Sequence, residues 1–378
     1  MKMIKGATLY TMDAENTIIE NCDVSIVNGK ISEIGQNLSE VDAEEMIDAR
    51  GLVVTPGLID AHTHVGIWSD ANETSHPYTP LMNAMDAINP HDDSFRDARS
   101  GGVTTVQTGA GSANPIGGVW SVVKTFGNTV EDMVIRERSG LKGATGENAK
   151  NRYGQIGKKD PYTRMSIAKW IRSGFEKAQA VMAKGKYDVE TLYKHNNEEV
   201  IPFIEVLEKK MPLRIHAHRS DDIVTAIRIA KEFDVDLSIE HCTEGYKVLS
   251  HLQKAGYPIT VGPFMLEPGK NEASNLNLEN PRILHEAGLL FAINTDHPVT
   301  PIEFLSVCAA DAVRHGLDEM IALRAITIHA AGIAGVDDRV GSIEVGKDAD
   351  FALWSHHPFQ MEAQVRYTII DGNIVYQK

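Results

Sequence analysis

Two histidines near residue 60 are the residues of this chain whose type and spacing point most directly to chemistry. His62 and His64 lie in Pro-Gly-Leu-Ile-Asp-Ala-His-Thr-His-Val-Gly, residues 56–66. Leu58 and Ile59 are apolar enough for a buried strand, on which side chains two apart point the same way. Because neutral imidazole is a common metal ligand, the pair supplies half of a tetrahedral zinc shell. A surface His-Thr-His would carry no function, so the metal site needs support from the rest of the chain.

The elements that must position these residues begin with hairpins at both ends of the chain. Residues 23–34 alternate apolar and polar residues on either side of an Asn-Gly turn, and residues 367–376 repeat the arrangement with two short strand-like runs on either side of an Asp-Gly turn. Isolated hairpins are only marginally stable. We therefore expect the two ends to share one small β-domain, formed by residues 1–55 and 338–378.

The intervening residues 56–337 alternate short apolar runs with longer amphipathic stretches. The stretch 221–233 has apolar residues at helical spacing, and the longest helical region is predicted at about residues 164–210. This alternation predicts an α/β fold of βα units around a parallel sheet. The candidate strands are residues 102–106, 140–144, 213–216, 237–240, 257–261 and 289–293.

Residues capable of chemistry recur at the carboxyl ends of these strands. They are His62, His64, Lys142, His216, His218, His241 and Asp296. In a parallel barrel those ends share the face on which barrel enzymes place their active sites. A single histidine there is more often structural, but repetition at one point of the strand-helix unit favours a metal site. Asp296 ends an apolar run, where it would serve as a helix N-cap, a partner of a metal, or a general base.

Four motifs distributed along the chain carry a family resemblance. They are Pro56-Gly-Leu-Ile-Asp-Ala-His-Thr-His64, Ile239-Glu-His241, Asn294-Thr-Asp-His-Pro298 and Gly341-Ser-Ile-Glu-Val-Gly-Lys-Asp-Ala-Asp350. With them the chain resembles the amidohydrolase superfamily over nearly its whole length, and more closely the branch related to imidazolonepropionases and prolidase-like dipeptidases. The resemblance implies a (β/α)8 TIM barrel with a small β-sandwich domain built from both termini. It also implies one or two divalent ions, usually zinc, with Mn or Fe as alternatives.

The resemblance also implies roles for individual residues. His62 and His64 match ligands of the more buried ion, His218 and His241 match ligands of the second, and Asp296 matches the carboxylate that binds metal and shuttles protons.

Two of the extra histidines are open to more than one interpretation. Both His216 and His218 could point inward, since they are two apart on one strand. We prefer His218 as the ligand because it is nearer the strand's carboxyl end. His216 would then contact substrate or pack inside the barrel, and His297, beside Asp296, is a further candidate for substrate contact.

The residue that would bridge two ions has two candidates. Lys142 resembles the strand lysine that many family members carboxylate, and it can ligate only as that carbamate, since a free ammonium cannot bind a metal. Glu147, five residues on, needs no modification. We slightly favour Lys142 because it lies on the strand, and if neither residue binds, the site holds a single ion.

The resemblance implies a metal-dependent amidohydrolase that cleaves a non-standard carbon–nitrogen bond with a metal-activated water, and with Asp296 as proton shuttle. The substrate would be a small cyclic amide, an imidazolone-like compound or a dipeptide-like compound. One alternative is an aminohydrolase that releases ammonia from a heterocyclic ring. Another is a non-catalytic barrel scaffold, although such a protein would be expected to have lost ligands.

Composition excludes several other classes of protein. The formal net charge of -15 argues against nucleic-acid or anionic-membrane partners, which require a basic face. Three scattered cysteines and the absence of an apolar run of eighteen residues favour a cytoplasmic protein with no disulfide framework or membrane span. We therefore expect a small-molecule substrate as the partner, and a homo-oligomer is compatible with the sequence.

Overall fold

The structure is a computed structural model that describes residues 1–41, 43–185, 187–265 and 271–378. The strands are β1 (Lys2–Tyr10), β2 (Ile18–Val27), β3 (Lys30–Gly35), β4 (Glu45–Asp48), β5 (Val53–Pro56), β6 (Leu58–Thr63), β7 (Val103–Thr108), β8 (Ile116–Lys124), β9 (Val134–Ala144), β10 (Leu213–Ala217), β11 (Leu237–His241), β12 (Ile259–Val261), β13 (Phe291–Ile293), β14 (Phe351–Trp354), β15 (Val365–Ile370) and β16 (Asn373–Gln377). The α-helices are α1 (Asp93–Ser100), α2 (Val130–Met133), α3 (Glu147–Lys150), α4 (Arg164–Met182), α5 (Val189–Lys194), α6 (Ile201–Leu207), α7 (Ser220–Phe233), α8 (Leu249–Ala255), α9 (Asn280–Glu286), α10 (Leu305–Arg314), α11 (Glu319–Ala325) and α12 (Ile328–Ala334).

The two ends of the chain meet in one eight-stranded sheet. Its order is β16-β15-β14-β5-β1-β2-β3, and β4 pairs with β1. The two predicted hairpins are present as β2–β3 and β15–β16, both antiparallel. An apolar cluster that includes Ile4, Val24 and Phe351 packs against this sheet. The predicted neighbourhood of the termini is confirmed, whereas the two-sheet sandwich and the domain boundaries remain predictions.

The middle of the chain forms a mixed α/β structure with a nearly closed eight-stranded barrel. Its strands β6 to β13 follow one another in chain order. The predicted helix 221–233 is confirmed as α7, whose Ile223, Ala226 and Ile227 are buried. No helix among the described residues is long and apolar enough to cross a membrane.

The barrel differs from the expected series of eight βα units at β8. This strand runs antiparallel to both β7 and β9, and the four-residue α2 is the only α-helix between β7 and β9 in the described chain. The sequence does not predict β8 because its glycine-rich start, Gly117 and Gly118, has the composition of a loop. Gly118 has a φ of +121°, and a side chain there would meet the backbone oxygen of Met82 at 2.4 Å. Glycine is therefore required by close backbone contact within a strand.

A buried carboxylate joins the first and last barrel strands. Within the described residues, β6 and β13 share no ladder of backbone hydrogen bonds. Asp60 Oδ2 accepts hydrogen bonds from the Thr295 backbone N–H at 2.9 Å and hydroxyl at 2.6 Å, and its Oδ1 accepts one from the His62 N–H at 3.0 Å. Burial raises the pKa of Asp60 to about 7. Hydrogen bonds to the Asp60 side chain therefore hold β6 against the residues that follow β13, at the level of the candidate ligands.

Candidate metal centre

The barrel brings most of the predicted ligands together at the carboxyl ends of its strands. His62 lies on β6 and His241 ends β11, and each is at most 1 % exposed. The donor atoms form two groups in which all atoms lie within 4.8 Å of one another. The first group is His62, His241 and Asp296, and the second is His216, His218 and His241. His241 belongs to both groups, so the described ligands form one continuous centre.

Backbone conformation at two of these residues is unusual. His241 has a φ of +73° and Asp296 a φ of +51°, in the left-handed region that residues with a Cβ rarely adopt. Such conformations persist only where the surrounding structure imposes them, and they cluster at functional sites. The chain therefore accepts local strain at the two strand ends that aim these side chains into the centre.

The hydrogen bonds of the imidazole rings fix which nitrogen faces the centre. His62 Nδ1 lies 2.7 Å from Glu240 Oε2, His64 Nδ1 lies 2.7 Å from the Gly109 carbonyl, and His241 Nδ1 lies 2.8 Å from the Gly262 carbonyl. Carboxylate and carbonyl oxygens only accept hydrogen bonds, so each Nδ1 carries the proton. Each Nε2 then keeps a lone pair for a metal, in the arrangement typical of metal-binding histidines.

The spacing of the donor atoms tests whether these residues fit a divalent ion. Asp296 Oδ1 lies 3.5 Å from His62 Nε2 and 3.4 Å from His64 Nε2. Charge-assisted hydrogen bonds are shorter, about 2.7–2.9 Å. Two donor atoms that each lie about 2.1 Å from one ion are separated by about 3.4 Å at the tetrahedral angle. The donor set and its spacing therefore fit an ion such as zinc.

Burial and charge give the ligands the protonation states that metal binding needs. Burial lowers the pKa of His64 and holds the pKa of His241 well below its usual value, so both rings are neutral. Burial alone would raise the pKa of Asp296, but His241, His62 and His64 hold it well below its ordinary value. The centre therefore combines neutral imidazoles with an ionised carboxylate.

The two candidates for the bridge occupy different environments. Lys142 is fully buried, with Nζ 3.4 Å from His62 Nε2 and 4.5 Å from the centroid of the Trp120 ring. Burial lowers the pKa of Lys142 to about 8, so about one tenth of the amine is neutral at pH 7, far more than for a lysine of ordinary pKa. Lys142 therefore lies beside the candidate ligands in a form able to react with carbon dioxide.

Glu147 is not brought into the group of candidate ligands. Its carboxylate lies 2.8 Å from Arg164 Nη2 and 3.2 Å from Lys150 Nζ. Burial acts to raise the pKa of Glu147, but these two cations lower it overall. The structure therefore does not support Glu147 as the bridge, because two side chains outside the centre already compensate its negative charge.

The extra histidines also have defined positions. The ring centroids of His216 and His218 each lie 4.5 Å from the ring centroid of His241, so both side chains point into the barrel. Strand alternation therefore does not decide which of the two is the ligand. His297 is different, because its Nδ1 accepts a hydrogen bond from the Ile302 N–H at 3.2 Å. His297 is absent from the described lining of the cavity at the centre, so the predicted substrate contact is not supported.

A cavity of about 300 Å³ opens above the centre. Its floor includes His62, His64, Lys142, His216, His241 and Asp296. Its polar wall is made by Asn72, Ser112, Asn148, Asn151 and Arg152, and its apolar wall includes Trp68, Ile156 and Val299. The π-helical turn Asn151–Ile156 carries Arg152, and such turns occur frequently at functional sites. The donor atoms therefore face a space that accepts a small molecule.

Comparison with known proteins identifies the family. The sequence profile described as "Amidohydrolase family" matches residues 53–375. The chain belongs to the amidohydrolase family. This confirms the resemblance inferred from the four motifs and places both the centre and the cavity inside the matched region.

Individual relatives of this amidohydrolase differ in how much they share with it. An amidohydrolase structure from Thermotoga maritima is 40% identical, with a TM-score of 0.93 over 100% of both chains. An imidazolonepropionase from Aliivibrio salmonicida is 23% identical over 95% of this chain and 94% of its own. Amidohydrolase tasK from Hapsidospora irregularis is 27% identical over 93% of this chain, which spans 39% of that longer relative.

Glu240 is a residue of the centre to which sequence reasoning gave no role. It is fully buried, and its carboxylate accepts hydrogen bonds from His62 Nδ1, from the Thr260 hydroxyl and, at 3.4 Å, from Arg214 Nη1. Despite burial, which acts to raise it, the pKa of Glu240 is lowered by His62 and Arg214. The sequence could have indicated a role for Glu240, because a charged residue beside His241 on a buried strand needs a partner. Strand alternation alone does not show that this partner is His62.

We expect Glu240→Gln to weaken zinc binding to this amidohydrolase by about 10- to 100-fold. This is the usual effect of losing a residue that hydrogen-bonds a metal ligand. The amide keeps the size of the side chain but no longer fixes the Nδ1 proton of His62 with a negative charge. Competition with a chromophoric chelator measures the affinity. Glu286→Gln, at an exposed glutamate of α9 paired with Arg282, is the matched control. A folded Glu240→Gln protein with unchanged zinc affinity would contradict the assignment.

Proposed function

We propose that this amidohydrolase is a metal-dependent hydrolase of carbon–nitrogen bonds other than peptide bonds. Its substrate is a small cyclic amide, an imidazolone-like compound or a dipeptide-like compound. The observation that carries the proposal is the set of buried nitrogen and oxygen donors around Asp296, spaced as ligands of a common ion. A barrel kept only as a scaffold has no reason to preserve such a centre.

The residues that would hold metal form two adjoining sets. His62, His64 and Asp296 would hold one ion, and His216, His218 and His241 a second, with Lys142 as a carbamate between them. Zinc suits the imidazole-rich donor set best, and manganese or iron are alternatives. A bound divalent ion lowers the pKa of water and polarises a carbonyl group.

The protein's own acid–base residue in this proposal is Asp296. Because its neighbours keep the carboxylate ionised, it accepts a proton from the attacking water and passes that proton to the departing nitrogen. The cavity wall excludes bulk solvent from this exchange, since Asp296 is only 8 % exposed. One carboxylate thus acts first as base and then as acid.

The cavity also favours a substrate with a carboxylate group. Arg152 lines the wall and donates a hydrogen bond to the Thr74 hydroxyl. Across the described residues, no carboxylate oxygen lies within ion-pair distance of its guanidinium. A guanidinium binds a carboxylate through two parallel hydrogen bonds, so Arg152 would hold the acidic end of the substrate while the scissile bond lies at the centre.

We expect Arg152→Met to raise KM about 10- to 100-fold for a carboxylate-bearing substrate, equivalent to about 1.5–3 kcal/mol for hydrogen bonds to a charged group. The same substrate with its carboxylate amidated should show little difference between variant and wild type. Steady-state kinetics on both compounds measure the effect, with Arg96→Met, on the exposed face of α1, as control. Equal KM values for the acid in all three proteins would contradict this role.

A panel of cyclic amides, dipeptides and nucleobases tests the reaction itself. Opening a cyclic amide or cleaving a dipeptide-like substrate releases no ammonia, whereas removal of an amino group from a ring does. We expect turnover without ammonia. Ammonia release would establish the aminohydrolase alternative, and no turnover of any compound by metal-loaded protein would favour a scaffold.

The remaining parts of the proposal concern organisation and location. We infer that residues 56–337 carry the chemistry and that residues 1–55 and 338–378 form a β-sandwich beside the barrel. Cys22, Cys242 and Cys308 are buried free thiols, which supports a reducing cytoplasm.

A further inference from the structure

A second carboxylate, besides that of Asp296, lies against two histidines of the centre, His216 and His218. Glu272 belongs to the short turn Asn271–Ala273, after β12, and is only 3 % exposed. Its Oε1 lies 3.4 Å from His216 Nε2 and 3.8 Å from His218 Nε2. No sequence motif singled out this glutamate, because it lies in an irregular connection rather than at a strand end.

The shorter of the two distances from Glu272 Oε1 to the histidines matches those around Asp296, and the longer is 3.8 Å. The separation of 3.4 Å between Glu272 Oε1 and His216 Nε2 equals that between Asp296 Oδ1 and His64 Nε2. Both exceed the length of a charge-assisted hydrogen bond, about 2.7–2.9 Å. They agree with the separation of about 3.4 Å expected for two donors that share one tetrahedral ion.

The other carboxylate oxygen of Glu272 is held by the backbone. Oε2 accepts a hydrogen bond from the Glu147 N–H at 3.3 Å. This bond orients the carboxylate so that Oε1 faces His216 and His218.

We propose that Glu272 is a further metal ligand, which donates Oε1 to the ion held by His216 and His218. This inference rests on the proposed metal-dependent function. The second ion then has an anionic oxygen donor of its own besides any bridging group, which increases its affinity for a divalent cation. The same bond from Glu147 ties this ligand to α3, which begins the segment that carries Asn148, Asn151 and Arg152 to the cavity wall.

Metal titration of the full-length protein tests the inference without reference to turnover. Wild type, Glu272→Gln, Glu272→Asp and Glu279→Gln are stripped of metal and titrated with Zn²⁺ against a chromophoric chelator. They are then loaded with Co²⁺, whose visible spectrum reports the number and type of its ligands. Glu279, an exposed glutamate paired with Arg282, is the matched control, and thermal unfolding verifies that each variant is folded.

We expect wild type and Glu279→Gln to bind two equivalents of Zn²⁺. Glu272→Gln should retain the first equivalent, lose at least about tenfold in affinity for the second, and change the Co²⁺ spectrum. Glu272→Asp, which keeps a carboxylate, should restore part of the affinity.

Three results would overturn the inference, and they are distinguishable. Unchanged affinity and spectrum in Glu272→Gln would remove Glu272 from the centre while leaving the proposed function intact. Weaker binding with an unchanged Co²⁺ spectrum would make Glu272 a positioning residue rather than a ligand. Failure of the wild type to bind any metal would overturn both this inference and the proposed function.

Discussion

Replacing Asp296 with asparagine is expected to lower kcat by about 10²- to 10⁴-fold, the range typical of general acid–base catalysis. Asparagine has nearly the same shape and keeps an oxygen toward His62 and His64, so most of the bound metal should remain. It cannot accept the proton of the attacking water. Steady-state turnover of the substrate found in the panel, measured together with metal content, separates the loss of proton transfer from the loss of metal.

The control for this substitution is Asp93→Asn, at an exposed position of α1 where Asp93 pairs with Arg96. It should leave both turnover and metal content at the wild-type level. If Asp296→Asn retained full turnover, Asp296 would not be the proton carrier. If it lost turnover and metal to the same extent, its role would be ligation alone.

Replacing Lys142 with arginine is expected to remove at least one equivalent of metal and to lower turnover by about 100-fold or more. A neutral lysine amine adds to carbon dioxide, which forms a nitrogen–carbon bond and releases one proton, and the product carries the two oxygens needed for ligation. Arginine keeps the positive charge but forms no such carbamate, because its guanidinium stays protonated. Elemental analysis and kinetics measure both effects.

Bicarbonate provides a second test of the same residue. Metal-free wild type reconstituted with zinc and bicarbonate should gain more metal and activity than protein reconstituted without bicarbonate, and intact mass measured under native conditions should rise by one carbon dioxide. Lys142→Arg should show no response, while Lys254→Arg, at an exposed position of α8, should behave as wild type. Full metal content and turnover in Lys142→Arg would exclude the carbamate.

The sequence predicted that His62, His64, His241 and Asp296 would lie together because strand periodicity and strand ends are local features. His62 lies on β6 and His64 directly follows that strand, and both rings lie near Asp296 Oδ1, as alternation predicts. His241 and Asp296 follow short apolar strands and meet the first pair because barrel strands end on one face. These rules needed only the residues themselves, and the family motifs agreed with them.

Other features depended on contacts that sequence patterns do not encode. β8 was hidden because Gly117 and Gly118 serve close backbone packing inside a strand. Alternation could not choose between His216 and His218 because both point inward. Glu147 has the right residue type, but Arg164 and Lys150 already hold its charge. Which partner such a carboxylate takes depends on the three-dimensional positions of the cations and ligands around it.

The contacts of two buried carboxylates, those of Glu240 and Glu272, were also not predictable from the sequence pattern. Glu240 orients His62 across the barrel, and Glu272 reaches His216 and His218 from an irregular turn. Glu240 lies inside the motif Ile239-Glu-His241, but the motif does not show its contact with His62, and Glu272 lies in none of the four motifs. Their roles follow from distances between atoms more than 50 residues apart in the chain.

Removal and return of metal is the most direct test of the central claim, which is that this amidohydrolase uses metal at the centre formed by His62, His64, His241 and Asp296. Purified protein is dialysed against a chelator, analysed for metal, assayed on the substrate found in the panel, and assayed again after addition of Zn²⁺. We expect turnover to fall to background with the loss of metal and to return in proportion to the zinc bound. Full turnover by metal-free protein, or an undiminished number of zinc equivalents after replacement of both His62 and His64 by asparagine, would contradict it.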